Sequence, residues 1–280
     1  MKEIKNLILD EERALYNLSD AKVENVKFDG PADGESALKE CSNVIIENCF
    51  FNLRYPLWHV DTFELSNSEM TEKCRAAIWY SKNMKINDCN LKGIKALREC
   101  QNIKITNTRI ESFEFGWKSN NIKFENVDLV GEYLFFDSSN ICTNNFNLRG
   151  KYSFQYVKNL EINDSYLDTK DAFWHAENVV VRNSTIKGEY LGWYSKNLTL
   201  INCKIIGTQP LCYCENLKLV DCTTESCDLA FEYSEANGNI IGSIDSIKNL
   251  LKGIIEVDAV GKIINDDVKY DCKGNIKIKK

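Results

Sequence analysis

The sequence predicts an all-β fold, a right-handed parallel β-helix of about eleven coils of mostly 19 residues, and three observations carry that prediction. First, an Asn stands before a short apolar stretch at 83, 102, 121, 140, 159, 178, 197 and 216, every interval being 19 residues. A fixed period of this size marks a solenoid, because each repeat can bury its apolar face only against its neighbours. Second, the residues after this anchor alternate. One step on stand Val44, Phe63, Met84, Ile103, Ile122, Leu160, Val179 and Leu198; three steps on stand Ile46, Leu65, Ile86, Ile105, Phe124, Ile162, Val181 and Leu200. Polar residues lie between, so each stretch is a strand with one buried face. Third, five steps on every coil has Asn or Asp, from Asn48 and Asn67 to Asn202 and Asp221. Amides stacked coil upon coil form an asparagine ladder and suit a repeated turn.

The elements follow in order. Residues 1–19 lack the pattern and are expected to form an N-terminal cap. Coils occupy 20–238, the register running back through Thr62, Asn43 and Asp20 at intervals of 21, 19 and 23. It fades after Cys222, so 239–280 is expected to hold C-terminal coils or a cap, the whole 1–280 being one β-helix domain. Three short strands and three turns fill each repeat, with coils about 4.8 Å apart. Right-handedness is the rule for parallel crossovers. A leucine-rich repeat needs leucine two before the anchor, where Val60, Ser81, Cys100, Ser119 and Ser195 stand instead.

Composition narrows the function. A formal net charge of -6 with scattered Lys and Arg excludes a nucleic-acid surface. The stretch MKEIKNLILDEERALY has no apolar core of signal-peptide length and no run approaches a membrane span, so a cytoplasmic location without a membrane partner is expected. The twelve cysteines are then expected as thiols, Cys203 and Cys222 standing close enough to bridge if oxidised. No Cys-x-x-Cys pair occurs, and His59 and His175 stand six coils, roughly 29 Å, apart, so neither a metal nor another cofactor is expected.

Two columns do not follow from packing alone. All five tryptophans, Trp58, Trp79, Trp117, Trp174 and Trp193, lie four residues before the anchor, together with Lys39, Arg98 and Gln155. The neighbouring column (Leu57, Ile78, Leu97, Phe173, Leu211) reads as inward, so the tryptophans are expected to point outward. Three before the anchor stand His59, Tyr80, Tyr156, His175, Tyr194 and Tyr213; seven before it stand Tyr55, Tyr133, Tyr152, Asp171 and Tyr190. One reading is a groove in which Trp58, Trp79, Tyr80, Trp117, Asp171, Trp174, Tyr190, Trp193 and Tyr194 bind an oligosaccharide. Another is a stack of large side chains that stabilises the solenoid without a ligand. A third is a self-association or protein-interaction surface, giving a homo-oligomer or a scaffold. Were the chain a glycoside hydrolase, lyase or isomerase, the irregular polar set Glu35, Lys39, Arg54 and Arg75 supplies the catalytic candidates.

The segments ESALKE (35–40), YPLW (55–58), RAAIWY (75–80), KDAFWHAEN (170–178), GEYLGWYSKN (188–197) and LAFEYS (229–234) resemble a functionally uncharacterised bacterial family, a domain of unknown function, across nearly the whole chain. That resemblance implies a β-helix distantly similar to the pectate-lyase-like proteins and supplies no reaction. In that family Pro is common where Ala37 stands, and Asn where His175 and Tyr194 stand, which argues against His175 as a catalytic group. The wider group implies carbohydrate substrates and a calcium-binding carboxylate cluster, to which no acidic cluster in this sequence corresponds.

Overall fold

The computed structural model describes residues 1–266 and 269–279, in two compact units, Met1–Ile141 and Cys142–Lys280. Each is a parallel β-solenoid. In the first unit the strands Lys2–Lys5, Ser19–Glu24, Ser42–Glu47, Asp61–Ser66, Lys82–Asn87, Gln101–Phe113 and Asn120–Glu132 pair in parallel, one per coil. Their register places Ala21, Val44, Phe63, Met84, Ile103 and Ile122 directly over one another, all buried. A second side repeats through Ile8–Leu9, Lys27–Phe28, Phe50–Phe51, Glu69–Met70 and Asn90–Ile94. The second unit stacks Lys158–Asn163, Glu177–Arg182, Lys196–Ile201, Leu217–Glu225, Glu235–Lys248, Lys252–Ile264 and Asn275–Ile278 in the same way. The anchor amides bond from coil to coil: Asn102 donates to Asn83 and Asn121 to Asn102 in the first unit, Asn197 to Asn178 and Asn216 to Asn197 in the second, each at 2.8 Å.

Seven first-side strands in each unit exceed the eleven coils expected in all. The surplus comes from the segments assigned to caps. Residues 1–19 form a coil, with Ile4 on Val23 and Leu9 on Phe28, and Asn275–Ile278 pairs with Lys252–Ile264. These coils lack the anchor Asn, but their apolar residues alternate and take the ladder position. Within 239–280, residues 267, 268 and 280 lie outside the described residues.

The third side departs from expectation more deeply. It was expected to be a strand, yet every second residue of it is left-handed: Tyr55, Leu57 and His59 have φ of 58°, 60° and 55°, and Asp171, Phe173 and His175 have 54°, 61° and 54°. Each such residue costs about 1–2 kcal/mol. What offsets the cost is complete bonding between coils. Asp171 N–H donates to Glu189 in the following coil (2.9 Å), Phe173 N–H to Ser153 in the preceding one (3.0 Å), and His175 N–H to Trp193 in the following one (3.0 Å). Tyr55, Leu57 and His59 repeat the pattern with Arg75, Ala37 and Trp79. Donors thus point alternately up and down the stack. Leu57 and Phe173 turn inward with no exposure.

Where the chain turns from the second side to the third, glycines lie directly over one another. A Cβ on Gly207 (φ 129°) would stand 2.4 Å from the carbonyl oxygen of Gly188 in the coil beneath, a contact with backbone that cannot swing away. Gly207→Ala is therefore expected to cost about 1–3 kcal/mol; an unchanged melting temperature would contradict this packing. All twelve cysteines are free thiols, ten of them buried, and Cys203 lies against Cys222 of the next coil. Burial pushes the Cys74 and Cys100 thiols up to about 12, so at neutral pH they are inert core residues. Among the described residues no helix is long and apolar enough to cross a membrane.

Candidate ligand site on the aromatic side

Because the third side bonds through its backbone in both directions, its outward side chains stand one above another at close spacing. In the first unit Trp58 stacks on Trp79 (5.2 Å between centroids, 5° between planes). Arg98 follows, its guanidinium 4.7 Å from both the Trp79 and the Trp117 rings, and Trp117 meets Phe136 at 5.2 Å. In the second unit Trp174 stacks on Trp193 (5.5 Å, 6°). All five tryptophans are half-buried, which places the column outward as the alternation requires.

The indole nitrogens have a fixed use. Trp58 donates to Ala76 O and Trp79 to Lys95 O, both at 2.5 Å; Trp117 donates to Tyr133 O, Trp174 to Tyr190 O (2.7 Å) and Trp193 to Gln209 O (2.8 Å). Every acceptor is the carbonyl of a left-handed residue in the next coil, at Ala76, Lys95, Tyr133, Tyr190 or Gln209. Arg98 stands in for a tryptophan and bonds the Glu114 carboxylate instead, at 3.0 Å. The tryptophans therefore pin each coil to the next. Trp79 and Trp117 have both ring faces covered, so a sugar can reach them only edge-on.

The neighbouring column behaves likewise for most of its length. His59 stacks on Tyr80 (4.9 Å) in the first unit. In the second, Tyr156, His175, Tyr194 and Tyr213 form a continuous stack at 4.9, 5.0 and 4.8 Å, with planes within 9° of parallel. Beyond Tyr213 it opens. Tyr233 lies 5.9 Å away and tilted by 44°, and Tyr270 meets Tyr233 edge-on at 4.8 Å. The cause is a slip in the strand pairing between Leu219 and Cys222, where Leu219 faces Gly238 but Cys222 faces Ile240. A groove of about 650 Å³ results, lined by Tyr194, Tyr213, Tyr233, Tyr270 and four charged residues. Two of those, Lys196 and Glu215, pair at 3.0 Å; Glu235 and Lys252 hold neighbouring register positions on its wall.

The remaining expected residues fall in separate places. Glu35 pairs with Arg54 (3.3 Å), which also pairs with Asp33 (3.3 Å). Lys39 is half-buried and Arg75 exposed, and neither makes an ion pair with a described residue, so these four do not form a catalytic constellation. Among the described residues no group of three His, Cys, Asp or Glu could hold a metal. Asp171 is 4% exposed, and its burial raises its pKa above the ordinary carboxylate value, Glu189 adding to the rise and Lys170 opposing it. Tyr233, Tyr270, Glu235 and Lys252 did not stand out in the sequence. Tyr213 extends the His/Tyr column and was visible, but Tyr270 comes from outside the repeat and no period announces it.

A family described as a protein of unknown function (DUF3737) matches residues 2–279 of this chain. The chain belongs to the DUF3737 family. No curated protein matches it. Among solved structures, this DUF3737 chain is similar to a GH136 lacto-N-biosidase from Eubacterium ramulus in its native form, at 9% sequence identity and a TM-score of 0.34. That likeness covers 94% of this chain, which spans 63% of the enzyme's length.

Proposed function

We propose that this β-helix binds a carbohydrate-like ligand on its aromatic side, in the groove formed by Tyr194, Tyr213, Tyr233 and Tyr270. One observation carries the reading: the stack of rings that is closed from Tyr156 to Tyr213 opens there by a 44° tilt and leaves a cavity of about 650 Å³. Aromatic faces bind the apolar face of a sugar, while paired and neighbouring opposite charges bond its hydroxyls. The lining holds two lysines and two glutamates, so it favours a neutral sugar over an acidic one. No residue set in the groove argues for bond cleavage, and binding is the activity proposed.

The test is calorimetric titration with neutral oligosaccharides (cello-, xylo-, manno- and N-acetylchito-series). One series is expected to bind, and Tyr270→Ala, at a residue 45% exposed, is expected to weaken it about tenfold, near 1.4 kcal/mol, with little change in melting temperature. Absence of binding by every series, or full affinity in Tyr270→Ala, would remove the proposal. A protein-interaction surface is the second reading, favoured by Tyr156 and Tyr194 at 45% and 42% exposure. Loss of self-association in Tyr156→Ala, with no sugar bound, would select it.

A further inference from the structure

In the second unit the column seven before the anchor runs Tyr152, Asp171, Tyr190, so one small acidic residue stands between two tyrosines. At the same level the tryptophan column is interrupted, Gln155 standing where the coils of Trp174 and Trp193 have indoles. Two omissions of a large side chain in adjacent columns leave a slot between the coils of Tyr152 and Tyr190, which are roughly 9–10 Å apart along the stack.

The slot holds a carboxylate without a partner. Asp171 is 4% exposed, yet its side chain accepts no hydrogen bond and makes no ion pair with any described residue. A buried charge left in this way is costly, and such groups are normally bonded. The two charges nearest it are engaged elsewhere: Lys170 pairs with Glu189 at 2.9 Å, and its ammonium lies 5.2 Å over the Tyr190 ring. One negative charge is therefore uncompensated. Lys170 also shows that a tyrosine ring of this column accepts an ammonium on its face.

We propose that Asp171 marks a subsite for a protonated amino group carried on a sugar, an amino sugar with a free amine. The amine supplies the missing counter-charge and hydrogen bond, and the flanking tyrosines take the ring. This rests on the carbohydrate reading above and adds to it the ligand's class. The left-handed φ of 54° at Asp171 suits Asn equally well, so retaining Asp at a stability cost points to its charge.

The experiment compares wild type, Asp171→Asn and Glu161→Gln by calorimetry at about pH 6, where primary amines are protonated. The probes are glucosamine trimer, N-acetylglucosamine trimer and cellotriose. Glucosamine trimer is expected to bind wild type at least about tenfold more tightly than Asp171→Asn, while Glu161→Gln matches wild type and the two uncharged trimers do not distinguish the proteins. Equal binding of glucosamine trimer to wild type and Asp171→Asn overturns the subsite. So does an equal loss in Glu161→Gln, which would mean diffuse attraction to an acidic surface. Tyr270-dependent binding of a neutral series would still stand in either case, so the two proposals fail separately. Stability gives a second readout. Because the folded state holds the Asp171 proton more tightly than the unfolded chain, its ionisation destabilises the fold as pH rises through and above the ordinary Asp range, with Lys170 and Glu189 the charges beside it. Asp171→Asn should therefore melt higher than wild type near neutral pH and converge on it below about pH 4. A lower melting temperature at neutral pH would show that the carboxylate has a structural partner, and would overturn the proposal.

Discussion

Phe51→Ala is expected to lower stability by about 3–5 kcal/mol, the largest effect of any single truncation considered. Phe51 has no exposure and stacks on Phe28 of the coil before it at 4.7 Å, with Met70 over it in the coil after. Removing the ring opens a cavity between coils whose spacing is set by backbone hydrogen bonds and cannot shrink to fill it. In a solenoid each coil contacts only its neighbours, so the loss acts first on the coils that hold Phe28, Phe51 and Met70. Hydrogen exchange should show strands Lys27–Phe28 and Glu69–Met70 losing protection before the rest of the first unit. Thermal melts should fall by roughly 6–20 °C. A shift of only a degree or two would mean that the second side is loosely packed, contrary to the structure.

Trp79→Ala should be the next most damaging, at about 2–4 kcal/mol. Three separate contributions vanish together: the stack on Trp58 at 5.2 Å, the cation–π contact with Arg98 at 4.7 Å, and the indole hydrogen bond to Lys95 O. Arg98 is left with one ring instead of two, and the left-handed turn at Lys95 loses its clamp. Trp79→Phe keeps most of the stacking and loses only the hydrogen bond, so it should cost about 1 kcal/mol. The graded order, wild type above Trp79→Phe above Trp79→Ala in chemical denaturation, is what a structural ring stack requires. Equal stability of all three would mean the column is decorative, and its tryptophans would again be candidates for ligand stacking.

Most of the architecture was legible in the sequence because the repeat exposes it column by column. The Asn anchor, the two inward strand positions and the small residues at Cys100, Ser119 and Ser195 follow from period and alternation alone. The third side was not legible, and the reason is chemical. Left-handed backbone is read in sequence from Gly and Asn, whereas here Leu57, Phe173, Tyr190 and His175 adopt it, residues whose propensities favour strands. Hydrogen bonds to both neighbouring coils override those preferences, and no single repeat contains that information. The aromatic column was found, but its faces could not be judged. Whether a tryptophan presents its ring to solvent or to its neighbour depends on the backbone geometry that was missed. The terminal coils failed for the opposite reason: Ile4, Ile255 and Val257 take ladder positions without the Asn that signals them elsewhere. In the groove, Tyr213 was visible as a column member, whereas Tyr270 lies in a segment that no repeat predicts.

A structural ladder and a binding site thus share one side of the second unit, separated by the point at which the rings cease to be parallel. The most direct test of this division is a titration of one neutral oligosaccharide series into wild type, Tyr213→Ala and Trp79→Ala, with the melting temperature of each measured in the same buffer. Trp79→Ala should melt several degrees lower yet keep the wild-type Kd, whereas Tyr213→Ala should lose about tenfold or more in affinity. The reverse pattern, with affinity lost at Trp79 and kept at Tyr213, would contradict the account by placing the ligand on the tryptophan stack.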